Sequence, residues 1–210
     1  MPTKRLLELF SGTSSVGKVA KRMGYDVVSV DNVFPSTHKC DIMKWKYKMY
    51  PPGYFDVIWA SPPCTEFSFA KQTGTRDIEG ALALVKKTLQ IIRYFQPKWY
   101  AIENPVGYLR HMDVMKKRTD RKTISYCKYG FIYRKNTDIW TNSRFKPKKC
   151  EGDHMCAFKK QNGFHKATVQ SGDRTQGYTE QVPVLDLHDR YRVPSILIRD
   201  IFNGFYCIKV

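Results

Sequence analysis

A thiol and a carboxyl group each follow an apolar run of this sequence. Cys64 comes after two prolines and the run 55–59, and Glu103 follows the run 99–102 and precedes Asn-Pro. Runs of this length predict buried strands of a parallel sheet, and ligands bind outside the carboxyl ends of such strands. A thiolate is a strong nucleophile and a carboxyl group can transfer a proton. The pair could serve one reaction site, although Cys64 could equally be an inert thiol in a Pro-rich loop.

The elements that must position these groups alternate between strand and helix patterns. Residues 6–10 and 26–30 read as strands, and the small-residue turn 11–17 between them opens a helix that ends at Gly24. Apolar side chains at helical spacing predict a longer helix over 75–96, stopped by a proline. Two further strands are expected at 122–127 and 137–141. The pattern predicts an α/β fold with a largely parallel sheet.

The turn after the first strand and the acid after the second predict a nucleotide-binding site. Small residues let the backbone approach a ligand closely, and Asp31 at the tip of the second strand could accept hydrogen bonds from ribose hydroxyls. Asp31 could also be a turn residue or a helix cap. The turn matches neither the dinucleotide glycine fingerprint nor the phosphate-binding lysine loop.

The charge of the chain indicates a polyanionic partner. Thirty-six Lys and Arg residues against nineteen Asp and Glu residues leave a net charge of +17, which attracts nucleic acids. The excess is concentrated between residues 110 and 149, at Arg110, Lys116, Lys117, Arg118, Arg121, Lys122, Lys128, Arg134, Lys135, Arg144, Lys146, Lys148 and Lys149. We expect a nucleic-acid-facing side, with a generally basic solvated surface as the alternative.

The cysteine and hydropathy patterns predict an intracellular protein. Six cysteines are scattered along the 210 residues without the dense spacing of a secreted disulfide scaffold. No apolar run approaches the roughly 20 residues of a membrane span, and we see no signal peptide. We expect one main domain, free or metal-bound thiols and no membrane partner. The sequence does not fix the oligomeric state; a monomer is compatible with it.

A polar stretch near the C-terminus departs from the α/β pattern. Residues 146–182 predict a small, irregular, basic recognition segment between a catalytic domain at 1–145 and a terminal helix within 183–210 that packs back on it. The segment contains two cysteines and two histidines, which could bind a structural zinc ion although their spacing matches no standard finger. The alternative is incidental thiols and imidazoles. The candidate ligands are Cys150, His154, Cys156 and His165.

The order of these motifs across residues 6–140 resembles the cytosine-5 DNA methyltransferase family, in a compact form that would suit a virus or phage. The resemblance implies a Rossmann-like fold that binds S-adenosylmethionine, with DNA as the partner. By this resemblance the cofactor-binding residues are Phe10, Ser11, Gly12, Gly17, Asp31, Asp41, Ile42 and Pro62.

The resemblance also implies a mechanism. Cys64 would add to carbon 6 of a cytosine rotated out of the duplex, and carbon 5 would then attack the sulfonium methyl. Glu103 would stabilise the charge on the ring, if burial keeps it protonated. Ser68, Arg134 and Lys135 are the candidate substrate-binding residues.

Two departures from the family pattern leave alternatives open. The family's Gln-x-Arg-x-Arg element is absent after Tyr129-Gly130, where Arg134 and Lys135 could supply the positive charge, and Tyr191-Arg192 replaces the usual Gly-Asn before Val-Pro. The alternatives are a catalytically impaired DNA-binding paralogue, an RNA cytosine-5 methyltransferase of the same architecture, and an adenine or exocyclic-amine methyltransferase. The thiol at position 64 argues against the last of these.

Overall fold

The protein is built on a mixed seven-stranded sheet. The computed structural model describes residues 3–151 and 191–206, together with Cys156, His165 and the pairs 167–168 and 172–173. The helices are α1 (Ser15–Arg22), α2 (Ile78–Phe95), α3 (Asp113–Lys116) and α4 (Ser195–Phe205). The strands are β1 (Arg5–Leu9), β2 (Asp26–Asp31), β3 (His38–Lys39), β4 (Val57–Ala60), β5 (Trp99–Pro105), β6 (Arg121–Ser125), β7 (Asn136–Thr141), β8 (Ala167–Thr168) and β9 (Gly172–Asp173).

The strand order creates a crevice at one edge of the sheet. The order is β3-β2-β1-β4-β5-β7-β6, and of these strands β7 alone runs opposite in direction to the other six. From β1 the chain crosses to β2 on one side and later returns to β4 on the other. The carboxyl ends of β1 and β4 therefore form a topological switch point, where open α/β sheets bind their ligands. The predicted α/β class is confirmed.

Helices cover both faces of this sheet because the central strands are apolar on both faces. Leu6 and Trp59 pack with α1 and α4 on one face, whereas Leu7 and Ile58 pack on the other, where α2 contributes its buried side chains. Such two-sided burial is typical of parallel strands. Among the described residues, no helix combines the length and apolarity needed to cross a bilayer.

Several predicted boundaries were wrong, and three of them have a clear structural cause. The long helix begins at Ile78, not at residue 75, because the Asp77 side chain caps it by accepting the N–H of Gly80 at 2.8 Å. The sixth strand ends at Ser125 and a 3-10 turn follows over Tyr126–Tyr129. The strand predicted at 99–102 extends to Pro105, because pairing with β7 continues along it.

Candidate active site

A cavity of about 340 Å³ lies at the switch point of the sheet. Its volume is in the range of small-ligand sites. Six segments supply the walls: β1 with the turn after it and the start of α1, the tip of β2 with the turn after it, the loop after β4, the end of β5, the residue before β7 and the residues before α4. The lining residues are Glu8, Phe10, Ser11, Gly12, Ser15, Val16, Asp31, Asn32, Val33, Phe34, Ser61, Pro62, Pro63, Cys64, Thr65, Glu103, Pro105, Lys135, Tyr191 and Val193.

The loop after β4 places the thiol of Cys64 in this cavity. The loop is folded back by a 3-10 turn over Thr65–Phe67, in which the N–H of Phe67 donates to the Cys64 carbonyl at 3.0 Å. Burial raises the pKa of the Cys64 thiol, the Lys135 charge lowers it and the Glu103 carboxylate raises it. Their net effect is a raised pKa, so the thiol is protonated at neutral pH in the protein without ligand.

Glu103 approaches the same cavity from β5. Its side chain is 6% exposed, and Oε1 accepts a hydrogen bond at 3.1 Å from the hydroxyl of the fully buried Tyr126. The next residue, Asn104, donates from Nδ2 to the carbonyl oxygen of Pro62 at 2.9 Å, and this bond is buried. The strand that carries the carboxyl group is therefore joined directly to the loop that carries the thiol.

The turn after β1 presents polar groups to the cavity. The Asp31 carboxylate accepts the N–H groups of Gly12, Val33 and Phe34, each at 2.8 Å. A carboxylate offers about four acceptor positions, so about one remains for a ligand. The Ser11 hydroxyl is buried, lines the cavity and has no partner among the described residues. This hydroxyl is therefore available to a polar atom of a ligand.

This turn is also strained. Phe10 and Ser14 have φ of 56°, and they are two of the three residues other than glycine with positive φ in the described part of the chain. A bulky side chain such as phenylalanine rarely adopts this conformation, which costs of order 1–3 kcal/mol and is concentrated at functional sites.

Comparison with known proteins identifies the family. The sequence model of the C-5 cytosine-specific DNA methylase family matches residues 31–143, more than half of the chain. A Frog virus 3 (isolate Goorha) protein named "Probable DNA (cytosine-5)-methyltransferase" is 34% identical over 222 residues, which cover 95% of this chain and 99% of that protein. The chain belongs to the C-5 cytosine-specific DNA methylase family.

A more distant curated relative agrees with this assignment, and a solved structure shares the fold. The type II methyltransferase M.HpaII of Haemophilus parainfluenzae is 28% identical over 159 residues, or 74% of this chain and 41% of that enzyme. A crystal structure from E. coli, described as that of a "putative DNA modification methyltransferase encoded within prophage", aligns with a TM-score of 0.51 at 17% identity. That alignment covers 66% of this chain and 46% of the prophage protein, and it shows the fold alone. The predicted family, enzyme class and Rossmann-like methyltransferase fold are confirmed.

Of the three predicted substrate-binding residues of this methyltransferase, one lines the cavity and two do not. Lys135 lines the cavity, with Nζ 4.9 Å from the centre of the Tyr126 ring. Arg134 is exposed outside it and donates to Asn136 at 3.3 Å. The hydroxyl of Ser68 accepts the N–H of Ala70, within its own loop.

Two predicted cofactor contacts also lie away from the cavity lining. Asp41 is exposed and its Oδ1 accepts the N–H of Met43 at 2.9 Å, as in a local turn. Ile42 is buried in the apolar core. Their contact with the adenine stays a prediction.

Glu8 was missed by the sequence analysis. It lies in β1, is 2% exposed and accepts the N–H of Gly17 at 3.0 Å. Gly17, which was predicted to bind the cofactor, therefore contacts the Glu8 side chain and is not among the residues that line the cavity. Burial raises the pKa of Glu8 to about 8, with the Asp31 charge acting in the same direction. The alternation of β1 would have placed Glu8 on a buried face, but an isolated glutamate in an apolar strand is a weak signal.

Several of the basic residues that suggested a nucleic-acid face are used inside the fold. Arg110 forms a two-pronged ion pair with the buried Asp138, at 2.8 and 2.5 Å. Lys122 donates to two backbone carbonyl oxygens, of Ser143 and Phe145. The basic run therefore overstates the charge available to a polyanion.

The cluster of candidate metal ligands in the structure differs from the predicted set. Cys150, Cys156 and His165 come together as expected, but the fourth side chain of the cluster is Cys127, in the 3-10 turn after β6. His154 lies outside the described residues. Cys127 is 23 positions before Cys150 in the sequence, and a search for local ligand spacing does not find it.

Proposed function

We propose that this methyltransferase transfers a methyl group from S-adenosylmethionine to carbon 5 of cytosine in DNA. The observation that carries the proposal is one cavity at the switch point lined by a candidate nucleophile, Cys64, a candidate acid, Glu103, and the polar turn after β1. Neither a purely structural thiol nor a simple binding module requires this combination.

S-adenosylmethionine, the methyl donor general to this family, fits the polar groups of the cavity and supplies an electrophilic sulfonium methyl when bound. The remaining acceptor position of Asp31 suits a ribose hydroxyl, and the orphaned Ser11 hydroxyl suits a polar atom of the ligand. Phe10 and Pro62, also in the lining, offer apolar surface.

Cys64 performs the covalent part of the proposed reaction. Its thiolate forms a bond to carbon 6 of the cytosine, and the electron pair of the 5,6 double bond becomes available at carbon 5. Carbon 5 bonds to the methyl carbon, whose bond to the donor sulfur breaks. A base then removes the carbon-5 proton, the double bond re-forms and the thiolate leaves. Because the pKa of Cys64 is raised, the thiol must first transfer its proton to solvent water, and the charge of Lys135, which lowers that pKa, favours the thiolate.

Glu103 stabilises the ring while this adduct exists. A carboxyl group that donates or shares a proton at N3 offsets the charge pushed into the ring. The Tyr126 hydroxyl, bonded to Oε1, holds the group in place and leaves the other oxygen for the cytosine. Tyr126 is thus a positioning residue for Glu103.

DNA is the proposed partner, and the target cytosine must leave the stack because carbon 6 is not reachable inside a duplex. A structural zinc ion, the second cofactor suggested by the sequence, would take no part in these steps, because structural zinc sites keep no open position. No disulfide joins the described cysteines, which supports the proposed location in a reducing, intracellular compartment.

The decisive experiment is covalent trapping on DNA of mixed sequence that contains 5-fluorocytosine. The fluorine cannot leave as a proton does, so the wild type with S-adenosylmethionine should form an adduct that survives denaturing electrophoresis. Cys64→Ala should form none and still bind the cofactor by calorimetry, whereas the matched control Cys40→Ser should behave as wild type.

The other outcomes separate the alternatives. Cofactor binding without an adduct from the wild type would indicate the impaired DNA-binding paralogue. Adduct formation with fluorinated RNA but not DNA would indicate the RNA enzyme. An adduct that persists in Cys64→Ala would refute the assignment of the nucleophile.

A further inference from the structure

Three thiols and one imidazole meet at the end of β6, outside the cavity. Cys127, Cys150, Cys156 and His165 are 5%, 0%, 5% and 9% exposed. Their four candidate ligand atoms all lie within 4.8 Å of one another. None of the four lines the proposed reaction site, so the methyl-transfer chemistry leaves the cluster unexplained.

Two sulfur–nitrogen separations within the cluster match those around a tetrahedral zinc ion. With Zn–S of about 2.3 Å and Zn–N of about 2.05 Å, a tetrahedron places sulfur and nitrogen about 3.6 Å apart. The observed separations from His165 Nε2 are 3.4 Å to Cys156 Sγ and 3.7 Å to Cys150 Sγ. These distances also permit thiol–imidazole hydrogen bonds without a metal, and that is the competing explanation.

The backbone around the cluster holds two of the ligands in place. Cys127 lies in the 3-10 turn that follows β6. Cys150 is held beside it, because its N–H donates to the Ser125 hydroxyl at 3.0 Å and the N–H of Ser125 donates to the Lys148 carbonyl at 3.0 Å. These bonds fix two thiols on a rigid edge of the sheet, and residues 156 and 165 supply the remaining ligands from the polar segment.

We propose that Cys127, Cys150, Cys156 and His165 bind one structural zinc ion. Three thiolates and an imidazole are a closed zinc ligand set, and tetrahedral sulfur and nitrogen ligands select zinc among common cellular metals. The segment between Cys150 and His165 has no net charge and only three large apolar side chains, Met155, Phe158 and Phe164, so a metal gives it the anchor that a hydrophobic core cannot.

The position of Cys127 gives this anchor a functional consequence. Cys127 directly follows Tyr126, whose hydroxyl binds Glu103. The ion therefore fixes the recognition segment to the same turn that positions the candidate acid. This consequence rests on the proposed function, whereas metal binding itself does not.

Metal analysis of the full-length protein after chelator washing tests the proposal. We expect about one equivalent of zinc to remain in the wild type and to be lost in Cys127→Ser. Cys40→Ser, which changes a cysteine outside the cluster, should retain the full equivalent. His154→Asn should also retain it, whereas loss of zinc in His154→Asn but not in Cys127→Ser would overturn the ligand set.

Cobalt substitution keeps the test informative if Cys127→Ser does not fold. Wild type reconstituted with Co²⁺ should show the visible absorption of a tetrahedral site and thiolate-to-cobalt charge transfer, and added Zn²⁺ should abolish both. If the wild type retains well under one equivalent of any metal and gives no such spectrum, the zinc site is refuted. The thiol–imidazole hydrogen bonds would then account for the cluster. Zinc binding with no loss of methyl transfer on its removal would refute the functional consequence alone.

Discussion

Replacing Glu8 with glutamine should remove a large pH dependence of stability. Burial raises the pKa of this carboxyl from its ordinary value of 4.5 to about 8, so folding favours its protonated form. Its contribution to stability is therefore fully present below about pH 4.5 and falls as the pH rises to about 8, beyond which it is constant. At about 1.4 kcal/mol for each pH unit over about 3.5 units, the loss is about 5 kcal/mol at most.

Glu8→Gln has the shape of the protonated carboxyl and keeps an oxygen to accept the Gly17 N–H. Urea unfolding at pH 5, 6, 7 and 8 gives the free energy of unfolding of each protein. The value for the variant minus that for the wild type should increase steadily with pH. Glu79→Gln, at an exposed position in the first turn of α2, is the matched control. It makes the same change at the surface, so its pH dependence of stability should stay close to that of the wild type. A Glu8→Gln difference that stays constant across this range would refute the buried, protonated Glu8.

Three further outcomes test the site. Tyr126→Phe should lower kcat by about 10-fold, as expected for a lost hydrogen bond of about 1.4 kcal/mol to Glu103, with no change in cofactor affinity by calorimetry; unchanged kcat would remove the positioning role. Alkylation of Cys64 by iodoacetamide, followed by peptide mass spectrometry, should be slow at pH 8 and still accelerate above pH 9, because its pKa is raised; a plateau below pH 8 would contradict this. Gly107→Ala should lower both stability and methyl transfer, because a Cβ there collides with the backbone carbonyl of Phe67 next to the nucleophile loop; wild-type activity and an unchanged urea midpoint would show that the loop yields.

Strands that are marked by a local run of apolar residues could be predicted from the sequence. The apolar runs 55–59 and 99–102 gave buried strands that became β4 and β5, since burial on both faces leaves a continuous apolar signal. The cavity brings together Cys64, Glu103 and Asp31, three side chains predicted from their places at strand ends. Parallel strands place the side chains at their carboxyl ends along the same edge of the sheet. The positions of these three residues in the sequence were therefore sufficient to predict that they lie close together.

Long-range contacts account for what the sequence did not reveal. Glu103 lies within a strand rather than after it, because the antiparallel partner β7 extends the ladder, and nothing near residue 103 encodes that pairing. Cys127 is part of a cluster whose other members are distant in sequence. Arg134 and Lys135 are adjacent, yet only Lys135 lines the cavity, because the direction of each side chain depends on how the chain enters β7.

The bond from Asn104 to the carbonyl of Pro62 ties together the two arms of the proposed chemistry. A shift of the thiol-bearing loop would pull the neighbouring strand with it, so the spacing between the two groups is conserved as a single mechanical unit. Changes elsewhere in the chain, including in the segment expected to choose the target, can then accumulate without readjusting that spacing. One carboxamide side chain thereby couples the position of the thiol-bearing loop to that of the carboxyl-bearing strand.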